Sequence, residues 1–201
     1  MLQKRMKQYI TRLVSEEPQK IELYQEEMDY LKSYALIPNE LTLLEKDPKT
    51  RFKDAYLERC NKETEETLSI ESFAFLEQPI DYLQKQKNEF LYLESNWFEL
   101  IGVDAVSLEV SDVFGTYDVL VGLKMQQKFQ SSLKETLSEE LQGDDARFEL
   151  IFNQKDGMWD LNIALDYVEE FNEEITLEEA FLVIYQFLFK VVDRVEERSR
   201  T

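Results

Sequence analysis

Residues 176–196, TLEEAFLVIYQFLFKVVDRVE, contain the segment that decides the fold of this chain. Thr176 and Glu179 have the spacing of a capping box, in which each side chain bonds the backbone of the other residue, so they predict a helix start. Apolar residues then point in nearly every direction around that helix: Leu177, Phe181, Leu182, Val183, Ile184, Tyr185, Phe187, Leu188, Phe189, Val191 and Val195. A helix that is apolar nearly all round must be buried on most sides. The pattern therefore predicts a buried C-terminal helix.

Upstream of this helix, alternating apolar and polar residues predict strands. Residues 148–152 and 159–165 alternate with the period of two of a half-buried strand, and Asp156-Gly157 between them is a strong turn signal. They predict a β-hairpin. Residues 103–110 and 117–121 predict two more strands. Between these two pairs of strands, an apolar residue at every fourth position over residues 125–141 predicts a long helix that Gly143 ends.

The first half of the chain predicts helices for the most part. Residues 2–13 and 21–35 carry apolar side chains at helical spacing, and Pro18 is suited to the first turn of the second helix. Residues 52–68 also favour a helix, and Pro79 precedes another short one. Leu41, Leu43 and Leu44 suggest a short strand.

These patterns predict an α+β fold: N-terminal amphipathic helices, a small antiparallel sheet with an inserted long helix, and the buried C-terminal helix. Composition changes near residue 88, but no linker rich in Gly, Ser or Pro separates the two regions. We therefore expect residues 1–201 to form a single domain, with a helical region (residues 1–88) packed on an α+β region (residues 89–201).

The chain has no histidine and carries 42 acidic residues against 23 basic ones, a formal net charge of −19. Residues 101–201 hold 9 basic and 22 acidic residues, a net charge of −13, so the acidic character belongs mainly to the second half. Such a surface repels nucleic acid and anionic membranes and attracts basic proteins. We therefore expect a partner with a basic surface, and neither direct nucleic-acid binding nor membrane binding. The sequence is also compatible with a homodimer.

Cysteine usage and hydropathy point to the cytoplasm. The single Cys60 cannot form an internal disulfide, which fits a reducing compartment. The most apolar run, residues 180–192, is shorter than the roughly 20 residues that span a bilayer. No signal-peptide pattern follows the basic residues of the N-terminus.

Most familiar catalytic arrangements are excluded by residue type. Without histidine, no Ser-His-Asp triad, His-activated cysteine or His-based zinc site can be assembled. The residues therefore assign no catalytic side chain, no cofactor and no metal ligand. One alternative is an enzyme that uses carboxylates, with or without a divalent ion. Its oxygen ligands would come from the second hairpin and the segment after it: Asp156, Asp160, Asp166, Glu169 and Glu170.

Residues 94–101 read Glu-Ser-Asn-Trp-Phe-Glu-Leu-Ile. Ser95-Asn96-Trp97-Phe98 resembles the Ser-Asn-Ile-Phe segment of class IV, branched-chain-type aminotransferases, which use pyridoxal phosphate. In that family an acidic residue about five positions before the asparagine pairs with the pyridine nitrogen, and Leu91 stands at that position here. The resemblance implies an aminotransferase-like activity with this cofactor, although no second motif identifies a Schiff-base lysine.

The residues favour a non-enzymatic interaction protein, such as an inhibitor, an immunity-type protein or an adaptor. Its expected partner-binding residues are two aromatic side chains and four carboxylates: Trp97, Trp159, Glu169, Glu170, Glu173 and Glu174. Tryptophan is frequent among interface hot spots, and acidic fields speed encounter with basic surfaces. A pocket that gathers Asp or Glu with Tyr would favour the enzyme. A flat acidic surface around exposed aromatics would favour the interaction protein.

Overall fold

The computed structural model describes residues 1–17, 19–38, 41–143 and 146–200, and it confirms the α+β fold. The described residues form six α-helices: α1 (Leu2–Glu16), α2 (Gln25–Ser33), α3 (Asp81–Lys85), α4 (Asn96–Ile101), α5 (Gln130–Glu140) and α6 (Leu177–Arg198). They also form nine strands: β1 (Lys20–Leu23), β2 (Thr42–Glu45), β3 (Tyr56–Asn61), β4 (Thr67–Glu71), β5 (Glu89–Glu94), β6 (Val103–Val110), β7 (Tyr117–Leu123), β8 (Phe148–Asn153) and β9 (Met158–Ala164).

Seven of these strands form one antiparallel sheet in the order β4-β3-β5-β6-β7-β9-β8. Strands β1 and β2 form a separate parallel pair. The predicted strands at residues 103–110 and 117–121 and the predicted hairpin are confirmed as β6, β7, β8 and β9. The long helix is inserted between β7 and β8, where α5 follows a short 3-10 turn, Gln127–Phe129.

One face of the sheet is buried beneath the helices. A row of apolar side chains crosses six neighbouring strands on this face: Leu57, Leu93, Val106, Val121, Leu161 and Leu150. All except the half-buried Leu150 are buried, and they belong to a core that also includes side chains of α1, α2, α4, α5 and α6. The alternation of the strands therefore leaves every second side chain on the opposite face.

Helix α6 confirms the prediction made from residues 176–196. The Thr176 hydroxyl accepts a hydrogen bond from the Glu179 N–H, and the Glu179 carboxylate accepts one from the Thr176 N–H, so the capping box is complete. Thirteen residues of α6 are buried, and Leu188 has no exposed surface. The helix packs against α4 and α5, and its burial accounts for apolar side chains on nearly every side.

The prediction of a helix over residues 52–68 is wrong. Strands β3 and β4 form a hairpin there and extend the sheet at one edge. Phe52 and Ala55 precede the strand, and their spacing from Tyr56, Arg59 and Cys60 in β3 mimics that of a helix. The turn between the strands is tightened by Asn61, whose side-chain oxygen accepts hydrogen bonds from the N–H groups of Glu63 and Thr64.

Two other boundaries differ from the sequence prediction. Residues 20–23 form β1, because Ile21 and Leu23 pair with β2 in a parallel register, and the helix α2 begins only at Gln25. Met125 is buried before α5 rather than within it. The predicted strand near Leu43 is confirmed as β2. Pro18 lies outside the described residues.

A buried ion pair joins the segment before β3 to α2 and α6. The Arg51 guanidinium donates to Glu27 over 2.7 and 3.2 Å, and the side chains of both residues have no exposed surface. The Tyr185 hydroxyl donates to the same carboxylate. Burial raises the pKa of Tyr185, which keeps its hydroxyl protonated as a donor. The rings of Tyr24 and Tyr185 lie 4.1 and 4.0 Å from the guanidinium carbon.

Candidate functional site

The face of the sheet opposite the core, which we call the open sheet face, is lined by side chains that reach solvent. One row of paired residues crosses all seven strands on it: Ile70, Glu58, Tyr92, Ser107, Leu120, Asn162 and Glu149. Each of these side chains is half-buried or exposed. The sheet therefore carries a continuous surface in which apolar, polar and acidic groups are mixed.

Apolar exposure in this protein is concentrated on the sheet. Among the described residues, seven large apolar side chains are strongly exposed, and all of them lie in sheet strands or in the β6–β7 turn: Tyr56, Leu68, Ile70, Val113, Phe114, Leu120 and Ile151. On the open sheet face, Leu120 of β7 is 38% exposed, and Ile151 of the edge strand β8 is 54% exposed. Contiguous apolar exposure ringed by polar groups marks an interaction surface.

Carboxylates surround these apolar groups. Three neighbouring hollows of about 420 to 550 Å³ lie along the open sheet face. In the described part of the chain, two cations, Lys62 and Arg147, line them together with seven carboxylates: Glu58, Glu65, Asp104, Glu109, Asp118, Glu149 and Asp160. The face is thus acidic, with exposed apolar side chains among the carboxylates.

Two of the carboxylates oppose each other directly. Glu109 of β6 pairs in register with Asp118 of β7. Burial is the main cause that raises the pKa of each carboxyl, and the charge of the opposite partner raises that of Glu109 further. Lys62 offsets part of this repulsion, with its ammonium 3.4 Å from Glu109. Directly opposed like charges destabilise a sheet, so the pair costs folding stability at neutral pH.

Replacing Asp118 by Asn should therefore stabilise the protein. We expect the free energy of unfolding at pH 7 to rise by roughly 0.5 kcal/mol, a small value because both carboxyls are partly solvated. The raised pKa of Asp118 means that its carboxyl stabilises the fold most when protonated and loses this contribution as pH rises through the folded-state pKa. The gain should consequently vanish near pH 3, where the carboxyl is protonated.

Urea unfolding at both pH values measures this effect. Glu149→Gln is the matched control, because Glu149 faces the neutral Asn162 across the strands. A gain for Asp118→Asn that is equal at pH 3 and pH 7, or equal to that of the control, would contradict charge repulsion as its cause.

The structure separates the residues that the sequence nominated for partner binding. The carboxylates Glu169, Glu170, Glu173 and Glu174 lie exposed in one loop between Tyr167 and α6, which we call the acidic loop. Tyr167 lines the hollow at that end of the open sheet face.

The two tryptophans do not lie on the open sheet face. Trp159 is 1% exposed and packs on Phe152 from the core side of β9, so it cannot contact a partner in this state, contrary to the sequence prediction. Its position in the alternation with Leu161 and Ile163 explains that burial. Trp97 is half-buried on α4, beside the helices.

The oxygen ligands suggested for a divalent ion do not converge. Asp160 lies on β9, but Asp166 follows the end of that strand, and its carboxylate accepts the N–H of Tyr117 at 2.7 Å. Within residues 1–17, 19–38, 41–143 and 146–200, no group of three Cys, Asp or Glu side chains is arranged to hold a metal ion. The acidic pair Asp144-Asp145 lies outside the described residues.

Residues 94–101 span the end of β5 and the helix α4. The Ser95 hydroxyl caps α4 by accepting the Trp97 N–H at 3.3 Å. Phe98 and Leu91 are fully buried in the core. Ser95, Asn96 and Trp97 line a cleft on the helical side of the molecule.

The sequence patterns missed several residues of the open sheet face. The period of two indicated that Ser107 and Glu109 face away from the core, but it could not show which strands lie beside them. Glu58 and Ile70 were missed because their hairpin was predicted as a helix. Their signal was the alternation of Thr67, Ser69 and Glu71 with Leu68 and Ile70.

The chain matches no protein-family model, no curated protein and no solved structure. Within the described residues, none of the helices combines the length and apolarity that crossing a membrane requires. Only the site itself therefore bears on the function.

Proposed function

We propose that this protein is a non-enzymatic interaction module, of the inhibitor, immunity-type or adaptor kind, that binds a basic protein through its open sheet face. One observation carries the proposal: exposed apolar side chains, including Leu120 and Ile151, lie among seven carboxylates and two cations. Apolar contacts supply binding energy, while the surrounding charges select the partner. The single Cys60, which is unpaired, supports a cytoplasmic location.

Charge selects among the possible occupants of this face. If two copies of the protein met through this face, the carboxylates of one copy would lie against those of the other. Their repulsion opposes a homodimer formed in this way. Nucleic acid and anionic membranes are repelled for the same reason. A basic protein gains both from the exposed apolar side chains and from the carboxylates among them. The enzyme alternatives and the aminotransferase resemblance stay predictions.

The acidic loop extends the negative field beyond the open sheet face. Its four carboxylates, Glu169, Glu170, Glu173 and Glu174, are exposed, and none of them forms an ion pair with a cation among the described residues. Exposed charges of this kind steer diffusional encounter and act over a Debye length of about 8–10 Å at physiological salt. We therefore assign the loop a role in association rate rather than in the stability of the complex.

Reversing these four carboxylates to lysine should slow association with the partner and weaken its salt dependence. The partner is first captured from native cytosol at low and high salt, identified by mass spectrometry and purified. The association rate constant is then measured at two salt concentrations. We expect a decrease of about tenfold or more at low salt and a smaller one at high salt.

The matched control reverses four exposed acids on the helical side, Glu16, Glu17, Glu22 and Asp29. It changes the net charge equally and should affect the rate less, because these positions lie away from the open sheet face. An association rate constant that changes neither with salt nor with the loop reversal would refute electrostatic steering. Solubility would then be the role of these charges.

A further inference from the structure

A cleft on the helical side of the molecule has the opposite electrostatic character to the open sheet face. It has a volume of about 690 Å³, within the range of small-molecule sites. In the described residues, four cations line it, Arg5, Arg12, Lys46 and Arg51, against two carboxylates, Asp54 and Glu99. In a chain with 42 acidic and 23 basic residues, this balance is inverted.

Three of these cations are not neutralised by a carboxylate. Arg51 is paired with Glu26 and Glu27, but within the described part of the chain Arg5, Arg12 and Lys46 have no carboxylate oxygen within 4.0 Å. Arg5 is half-buried, and burial lowers its pKa, although Glu196 and Glu99 oppose this shift at longer range. A half-buried guanidinium without an ion-pair partner is costly, and a bound anion would satisfy it.

A glycine at the end of α4 leaves space for the Arg5 side chain. Gly102 ends α4 with a φ of +89°, in the left-handed region that favours glycine. A Cβ atom at this position would collide with the Arg5 guanidinium. Glycine therefore allows Arg5 to pack closely against the end of α4, next to the cleft.

Aromatic rings fix the other cations at the cleft. The rings of Tyr9 and Tyr24 meet the Trp97 ring edge-on, with centroids 5.8 and 4.8 Å away. The Lys46 ammonium lies 5.7 Å from the Trp97 centroid, and the Arg12 guanidinium lies 5.6 Å from the Tyr9 centroid. Cation–π contacts position such side chains without neutralising their charge, which stays available to an anion.

We propose that this cleft binds a small molecule that carries a phosphate group and hydroxyls, such as a sugar phosphate or a nucleotide. Arg5, Arg12 and Lys46 would bind the phosphate, whose oxygens suit guanidinium and ammonium donors. Asp54 and Glu99 would accept hydrogen bonds from the hydroxyls. The site is independent of the open sheet face and assigns a second ligand to the protein.

Tryptophan fluorescence tests the proposal in the full chain. The protein has two tryptophans, so Trp159→Phe leaves Trp97 in the cleft as the reporter. Inorganic phosphate, ribose 5-phosphate, AMP and ribose are titrated separately at constant ionic strength. We expect saturable binding of ribose 5-phosphate, AMP or both, and none of ribose. The comparison of these two ligands separates a sugar phosphate from a nucleotide.

Variants locate the binding site. Arg5→Gln and Lys46→Gln should each raise the Kd by about tenfold or more, because each removes a charged hydrogen-bond donor to the phosphate. Lys134→Gln removes an equal charge from the exposed surface of α5 and should leave the Kd unchanged. If thermal melting shows that Arg5→Gln is unfolded, the half-buried Lys46 decides the outcome. No saturable binding of any phosphate probe, or equal affinity in the two cleft variants and wild type, would overturn the proposal.

Discussion

Leu188→Asp should lower the free energy of unfolding by about 3–5 kcal/mol, because the new carboxylate would be buried without a partner. Leu188 has no exposed surface, and α6 packs between other helices and the rest of the core. The loss combines the desolvation of the charge with the cavity and contacts that the leucine leaves. Urea unfolding monitored by circular dichroism measures it.

Leu182→Asp on the same helix is the matched control. Leu182 is half-buried, so its carboxylate would keep contact with water and the loss should be clearly smaller. An unfolding midpoint of Leu188→Asp equal to that of wild type would mean that α6 is exposed and that the described core is wrong.

Arg51→Met should lower the free energy of unfolding by a similar amount, about 3–5 kcal/mol, because it leaves a buried charge without its partner. Glu27 has no exposed surface, and its carboxylate binds Arg51 and the Tyr185 hydroxyl. Methionine keeps much of the length of arginine but supplies neither the charge nor the donors. The unpaired carboxylate of Glu27, rather than the lost packing, should account for most of the loss of stability.

The double variant Arg51→Met, Glu27→Met distinguishes these causes. Removing both members of a buried pair is often close to neutral, so the double variant should be more stable than Arg51→Met alone. Equal losses in the single and double variants would show that the ion pair itself has little part in the effect.

The sequence predicted the elements whose signal is local. Thr176 and Glu179 stand at a spacing that specifies a helix start, and Asp156-Gly157 specifies a turn between alternating strands. Both patterns are complete within a few residues, so tertiary context did not override them. The hairpin of β3 and β4 was missed because residues before β3, such as Phe52 and Ala55, combine with residues of that strand to give helical spacing.

The site depends on contacts between residues distant in the chain. Strand order decides that Ile70 and Leu120 share one surface, and no local pattern contains that order. Arg51 meets Tyr185 only in the folded core. Trp159 is different: it alternates in phase with Leu161 and Ile163, and that pattern already favours burial over partner contact.

A cation placed on the open sheet face tests most directly whether this face binds a basic partner. Leu120→Lys puts an ammonium among the carboxylates where a basic partner would dock, while Ser131→Lys adds the same charge to an exposed position on α5. The Kd of the purified partner is measured by calorimetry for both variants and for wild type. We predict that Leu120→Lys raises the Kd by about tenfold or more and that Ser131→Lys leaves it near the wild-type value. Equal affinity of the Leu120→Lys variant and wild type would contradict the proposed docking face.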